Sequence, residues 1–410
     1  MQRPAIEIPL PIKSHRVDTT VAAPRLISRT YEFAKAERRF GGRYRPLMFA
    51  YWGRRGALSQ LSLELAHTIA ACNDVRCTIS VSKQNEQFGK FDFLGENLFA
   101  IDTYNKQYQA LMGYMRLCDL RRNLTQRFQR DSTRAFVSLI PHIWSPFTAS
   151  AIRRAGVRHI AVIHDAGCHP GDRYGLVNGW LLREAAAADH IITLTAAVAH
   201  GLMDAQGIPE KKISVLFHPD LNYGARYRSP ESQCGPLRVL FLGRILPYKG
   251  LDLFADAIAK LRHDGVHVQV GVFGEGKINR TAAATLSTLG AEIENRWLRH
   301  DEFNGILSRY DVVAASHTEA SQSGVIAAAF GAGLPVVATP VGGLVEQVAH
   351  NVTGIIARSA TVPAFADAIR VLAENRSLMA RLRRRIAAQR GERSVERFVD
   401  KICEIALGGR

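Results

Sequence analysis

Arg244 and Lys249 stand five positions apart in GRILPYKG (Gly243–Gly250), a loop between an apolar run and an amphipathic one. A guanidinium and an ammonium brought to one point make a clamp for a pyrophosphate, because both donate hydrogen bonds and both stay charged at neutral pH. Fixed there, they would stabilise the charge that develops on a departing diphosphate. Two unconnected surface cations are the plainer alternative. A second group lies in HTEASQSG (His317–Gly324), where Glu319, Ser321, Gln322 and Ser323 precede an Ala-rich, Pro-free stretch. That stretch is helix-competent, and a helix N-terminus is an anion site through its free N–H groups and its dipole. A carboxylate beside an anion site fits a ligand with both hydroxyls and phosphates, of which a nucleotide sugar is the common example. The alternative is that Thr318, Ser321 or Ser323 only caps the helix, with Glu319 a solvated first-turn acid.

A third group is HDAGCHPGD, which opens with His164-Asp165 after the apolar run Val157–Ile163. A histidine at a strand's carboxyl end can donate to a substrate hydroxyl or a backbone carbonyl, or act as a base. His169 reads as a loop histidine that caps a turn. His164, His169 and Asp172 lack the spacing of a metal set, so no metal is expected. Gly53-Arg54-Arg55-Gly56 forms a fourth group, a glycine turn between an apolar run and a helix. Its spacing is not G-x-G-x-x-G, which leaves a dinucleotide cofactor unsupported.

Short apolar runs with β-branched residues must carry these loops. Strands are expected at Pro46–Trp52, Cys77–Val81, Leu98–Ile101, Ala135–Ile140, Val157–Ile163, His190–Leu194 and Ile213–Phe217. The pattern restarts with Leu237–Leu242, Val266–Phe273, a short segment at Ala291–Trp297, Asp311–Ser316, Leu334–Pro340 and Thr353–Ala357. Helices are expected between them, among others at Ser59–Cys72, Tyr108–Gln129, Gly179–Ala188, Leu251–Arg262, Asp301–Arg309, Gly324–Gly333, Pro363–Glu374 and Ser377–Arg390, with a last one at Val395–Ala406. Repeated β-α units imply parallel sheets. The fold expected is α/β, with two Rossmann-like, doubly wound domains facing a cleft. The bounds are a tail at 1–44 with a helix near Tyr31–Arg38, a first domain at 45–225, a second at 237–390, and a C-terminal helix at 391–410 that packs back on the first domain. Asn222–Pro236 serves as the linker, being rich in Gly, Pro and Ser without periodicity.

The composition agrees with two soluble domains: 410 residues, 47% hydrophobic and 22% charged. The 53 Lys and Arg against 37 Asp and Glu leave a formal charge of +16. Phosphorylated ligands or an anionic membrane surface suit that excess. Nucleic acid does not, because aromatics are not interleaved with the basic runs. The six cysteines are scattered and read as free, buried thiols of a reducing cytoplasm. No run approaches the roughly 18 apolar residues of a membrane-spanning helix, so membrane contact is expected to be peripheral.

The sequence resembles the bacterial GT-B glycosyltransferases of family 4. The resemblance is carried by GRILPYKGLDLFADAIAKL (Gly243–Leu261), VFGEG (Val272–Gly276), HTEASQSGVIAAAFGAGLPVVATPVGGLVEQV (His317–Val348) and NVTGIIA (Asn351–Ala357). The first half matches more weakly, through its glycine loop and His164-Asp165. The resemblance implies a GT-B fold and a retaining, metal-independent transfer of sugar from a nucleotide sugar, UDP- or GDP-linked. The acceptor expected is a glycan or a lipid-linked acceptor, and the +16 charge with no membrane span suits surface or exopolysaccharide biosynthesis at the cytoplasmic face of the membrane. It implies that Arg244 and Lys249 grip the donor diphosphate and that Glu319 contacts the donor sugar. Ser323, Gly324 and Val325 would meet sugar and diphosphate at the helix start. His164 would lie near the reacting centre. Gly53 and Gly56 would face diphosphate and acceptor, and Gly274 would line the donor side. One departure concerns the E-x7-E pattern, whose second acid falls on Ala327. That acid usually holds the ribose hydroxyls. Two alternatives follow: a GT-B sugar-nucleotide epimerase, which the Gly243–Gly250 clamp disfavours, and a catalytically inactive nucleotide-sugar-binding partner, which only Ala327 supports.

Overall fold

The computed structural model describes residues 46–71, 77–104, 116–169, 175–224 and 235–408. The tail, the helix expected near Tyr31–Arg38 and most of the expected linker lie outside them. Seven strands form the first sheet: β1 (Leu47–Tyr51), β2 (Cys77–Ser82), β3 (Leu98–Ile101), β4 (Ala135–Ser138), β5 (Arg158–Ile163), β6 (His190–Thr193) and β7 (Ile213–Val215). Their order is β3-β2-β1-β4-β5-β6-β7, and every pair is parallel. Six strands form the second: β8 (Leu237–Leu242), β9 (Val268–Phe273), β10 (Glu292–Glu294), β11 (Val312–Ala315), β12 (Val336–Ala338) and β13 (Gly354–Ile356). Their order is β10-β9-β8-β11-β12-β13, again all parallel. Strands such as LMFAY and VVAA are buried along their whole length. Helices must cover both faces of a parallel sheet, so its strands are continuous apolar runs rather than alternating ones.

Each sheet winds outward from its centre and then resumes on the other side. The direction reverses between β1 and β4 in the first sheet and between β8 and β11 in the second. Ligands bind at such switch points, beyond the strands' carboxyl ends. The loops bearing Arg244 and Lys249, after β8, and Glu319, after β11, therefore flank the switch point of the second sheet. The glycine loop follows β1, and His164 follows β5, next to β4.

The helix Ser145–Arg154 covers β5, while Ala196–Gln206 follows β6 and packs on β7. The Gly179–Ala188 helix starts earlier, at Gly175, and is broken at Leu182 into Gly175–Leu181 and Arg183–Ala187. The last helix, Val395–Leu407, packs Val395, Phe398, Val399 and Ile402 into the core that contains Leu47, Phe49 and Leu61. Arg158 Nη1 donates to the Ile405 and Ala406 carbonyls at its end, at 2.8 and 3.1 Å. The thiol expectation fails in part. Cys77 is buried, but Cys118 and Cys168 are exposed, because Cys118 sits on the polar side of a helix and Cys168 in a loop.

Candidate functional site

The second sheet builds its part of the site from three loops that close over one another. Pro247–Lys249 is a single tight turn that ends at Gly250, whose φ is 68°. Gly274 has φ 147°, and a Cβ there would collide with the Gly243 carbonyl. Only glycine allows the two loops to approach so closely. Tyr248 is buried, and Lys249 Nζ lies 4.9 Å from the centre of its ring. The same ammonium donates to His317 Nε2 at 2.9 Å. Burial, with the nearby Lys249 charge, holds the His317 pKa well below its ordinary value. His317 is thus a neutral acceptor. Its carbonyl accepts from Thr339 Oγ1 at 2.6 Å, which anchors the start of the Glu319 loop. Arg244 is exposed in its loop and joins none of these bonds among the described residues.

The Glu319 loop meets the first half of the chain through histidines. His169 Nδ1 lies 3.1 Å from Glu319 Oε1, and His169 Nε2 lies 3.1 Å from Asp165 Oδ1 and 3.0 Å from Ser321 Oγ. The ring stacks on Tyr248, with centroids 4.7 Å apart and planes at 25°. The hydrogen bond to Asp165, outweighing burial, raises the His169 pKa above its ordinary value, and Glu319 adds to the shift. Burial acts to raise the Asp165 pKa, but the bonds from His169 and Ser321 more than offset it and leave the carboxyl lowered. The setting of His169 between Asp165 and Glu319 favours its protonated form.

His164 is buried and both of its ring nitrogens are used. Nε2–H donates to the Leu139 carbonyl at 2.7 Å, and Nδ1 accepts from Gln322 Nε2 at 2.7 Å. Burial lowers its pKa, so the ring is neutral. Next to Gln322, Ser323 begins the helix Gly324–Gly331, but its side chain makes no capping bond and its Oγ is buried without a partner among the described residues. The Gln347 side chain holds the Ser323 backbone instead, accepting from its N–H at 2.7 Å. Neither Thr318 nor Ser321 caps the helix: Thr318 turns to the Tyr248 carbonyl and Ser321 to His169. The simple capping alternative therefore does not describe this loop. Among the described residues the Gly324 and Val325 N–H groups at the helix start have no partner, whereas those of Ile326 and Ala327 reach the Ser323 carbonyl.

The glycine loop sits against that helix start. A Cβ on Gly324 would lie 2.5 Å from Ala57 Cβ, so the helices Ala57–Ala71 and Gly324–Gly331 touch at their N-termini. Gly53 lies over the Tyr51 ring, and Gly56 donates to Glu86 Oε1 at 3.0 Å. Glu86 also accepts from His300 Nε2 at 2.7 Å and Trp297 Nε1 at 3.0 Å, both from the second half. The Arg55 guanidinium lies 5.2 Å from the Trp297 ring centre.

The structure thus gathers Glu319, Lys249, His164, Ser323, Gly324, Gly53, Gly56 and Gly274 around the facing ends of the two sheets. Sequence reasoning undervalued His169, which bridges the halves rather than capping a turn. It also passed over Gln322 as the partner of His164, and Glu86, Trp297 and His300 altogether. The Asp165–His169 separation of four residues was the one local signal. Ala327 is buried, its carbonyl accepts the Leu221 N–H at 3.0 Å, and its side chain faces the core shared with Phe398.

Residues 236–375 match the family described as Glycosyl transferases group 1. The D-inositol 3-phosphate glycosyltransferase of Geodermatophilus obscurus is 32% identical over 237 residues, 52% of each chain. The glycogen synthase of Mycobacterium tuberculosis is 28% identical over 245 residues, 56% of this chain and 58% of its own. The chain spans about half the length of the curated relatives it matches. Anabaena HepE in complex with UDP-glucose superposes with a TM-score of 0.66 at 16% identity, over 88% of this chain and 99% of that one. A glycosyltransferase structure from Rickettsia africae gives 0.64 at 14% identity, over 90% and 100%. The fold is GT-B, with two parallel-sheet α/β domains.

Proposed function

We propose that this protein is a retaining glycosyltransferase that moves a sugar from a UDP- or GDP-linked donor to a glycan or lipid-linked acceptor. The observation that carries the reading is the convergence of Glu319, the Lys249 turn and the helix start at Gly324 on the switch point of the second sheet. Lys249 and Arg244, with the first-turn N–H groups, supply positive charge for a diphosphate. Glu319 supplies an acceptor for sugar hydroxyls. The first half, across the cleft, would hold the acceptor. The match to glycosyl transferases group 1 covers this donor side, and the curated relatives favour transfer over epimerisation.

In the transfer, the bond from the anomeric carbon to the diphosphate oxygen breaks and a bond to the acceptor hydroxyl oxygen forms on the same face. The acceptor's proton passes to the departing phosphate oxygen. Cations and a helix N-terminus do what a divalent metal does elsewhere, so chelation is expected to leave turnover intact. His164 holds Gln322 in the loop that carries Glu319 and Ser323, and that bond supports reading it as a residue that steadies the reacting centre. The formal +16 charge and the absence, among the described residues, of a helix long and apolar enough to cross a membrane suit work at the inner membrane face on surface glycans. The test is a panel of nucleotide sugars screened by thermal shift and donor hydrolysis. Hydrolysis of one of them supports the reading. Stabilisation by a nucleotide with no sugar consumed from any donor, with or without glycan acceptors, points to an inactive binding partner.

A further inference from the structure

We propose that His169 is a positioning residue for Glu319, tying one oxygen of that carboxylate to Asp165 across the cleft and leaving the other oxygen to the donor sugar. The proposal rests on the donor reading above. Its geometry is specific. Both ring nitrogens face carboxylates, Glu319 Oε1 and Asp165 Oδ1, each at 3.1 Å. A neutral imidazole has one N–H and can serve only one of them. Serving both carboxylates requires the imidazolium, whose two charge-assisted bonds are stronger than neutral ones. Ser321 Oγ, 3.0 Å from Nε2, then shares the bond to Asp165; in the neutral ring Nε2 would instead accept from Ser321. The stack on Tyr248 fixes the ring plane, and Tyr248 belongs to the turn that carries Lys249. The histidine therefore links three parts of the site: the Asp165 loop, the Glu319 loop and the cation turn. Glu319 Oε2 has no hydrogen bond among the described residues, and the side chain is 52% exposed. One carboxylate oxygen is held and the other is presented.

Several charged or titratable groups surround His169. Asp165 and His164 lie on its own segment. Glu319 and His317 lie on the facing loop, and Tyr248 and Lys249 on the turn below. His317 and His164 are neutral, and Lys249 is turned to His317. The two carboxylates therefore set the balance. When His169 loses its proton it keeps only one of its two carboxylate bonds, and the link from Asp165 to Glu319 is broken.

The first experiment needs no donor. Thermal melting is followed between about pH 5.5 and 9 for the wild type, His169→Gln, Glu319→Gln and the double variant. Wild-type stability over His169→Gln is expected to be greatest at the acid end and to shrink as pH rises through the raised His169 pKa. The coupling between the two substitutions should shrink with it. A difference that does not change with pH would mean packing alone and would overturn the proposal. The second experiment uses whichever nucleotide sugar the wild type hydrolyses. His169→Gln should raise KM for that donor about tenfold or more, while binding of the free nucleoside diphosphate stays within about twofold. Equal losses for both ligands would overturn the sugar-facing role. If no donor is bound or turned over, the donor reading fails, and the melting cycle still decides whether His169 holds Glu319.

Discussion

Glu346 caps a helix in the other half of the chain, the one that begins at Ala196. Its Oε2 accepts the Ala196 N–H at 2.6 Å and its Oε1 the Ala197 N–H at 2.9 Å. Thr195 Oγ1 accepts the next free donor, Val198 N–H, at 3.3 Å, and itself donates to the Ser321 carbonyl at 2.9 Å. The first turn of Ala196–Gln206 is thus satisfied from two sides, and a carboxylate there also meets the positive end of the helix dipole. Glu346→Ala should lower unfolding free energy by about 1 kcal/mol, and Glu346→Gln by less, since an amide oxygen can still accept one of the bonds. Urea melts of the three proteins check this. Equal stability of all three would show that the cap adds nothing.

The cation turn and the acid act on different parts of one ligand. Lys249→Ala should reduce turnover of the identified donor by about 10²–10³-fold, the usual effect of losing one preorganised charge-stabilising donor. Glu319→Ala should also cripple turnover, with a larger effect on nucleotide sugar than on free nucleotide. Near-normal initial rates for both variants would remove these residues from the site.

Glu64 gives a pH dependence with a definite sign. It lies on Ala57–Ala71 and accepts from the Asn222 N–H at 2.7 Å and from Gln60 Nε2 at 2.9 Å, where the chain leaves the first half. Burial pushes its pKa up to about 7. The folded state then holds the proton more tightly than the unfolded chain does. The resulting stabilisation is complete below the ordinary carboxyl pKa and is lost as pH rises through about 7. Glu64→Gln keeps an oxygen acceptor and cannot ionise, so Tm should rise at pH 8 relative to wild type and change little at pH 5. A gain of the same size at both pH values would contradict the burial argument.

Restoring the missing acid should fail. Ala327 is 2% exposed and packs toward the apolar core that includes Phe398. Ala327→Glu would push a carboxylate into a close-packed position, in the wall of a cavity also lined by Phe330, Arg393 and Arg397, and overpacking should cost about 2 kcal/mol. A melt that loses several degrees without improved nucleotide affinity is the expected result. A stable variant that binds nucleotide more tightly would show that the position still faces the ligand.

The strands were legible because parallel, doubly covered sheets demand unbroken apolar runs, and LRVLFL and DVVAAS are such runs. Leu98–Ile101 and Leu237–Leu242 have the bounds expected from the sequence. The loops that carry Lys249 and Glu319 were legible for the same reason, since they follow those runs. What faces them was not. The partners of Glu319 and Gln322 lie 150 and 158 positions away, and no local pattern encodes which loop a folded sheet will bring opposite. His169 therefore looked like an ordinary turn histidine. Ser323 looked like a cap because serine before a helix normally is one, whereas here Gln347 holds its backbone.

The Val395–Leu407 helix makes the first sheet's core depend on chain that follows the second sheet. Its apolar side completes a core whose other members include Leu47, Phe49 and Val137. The first sheet therefore cannot bury that core with its own domain's residues alone. Loosening the Val395–Leu407 helix would bare Leu47, Phe49 and Val137 to solvent and to self-association, even with the second sheet intact.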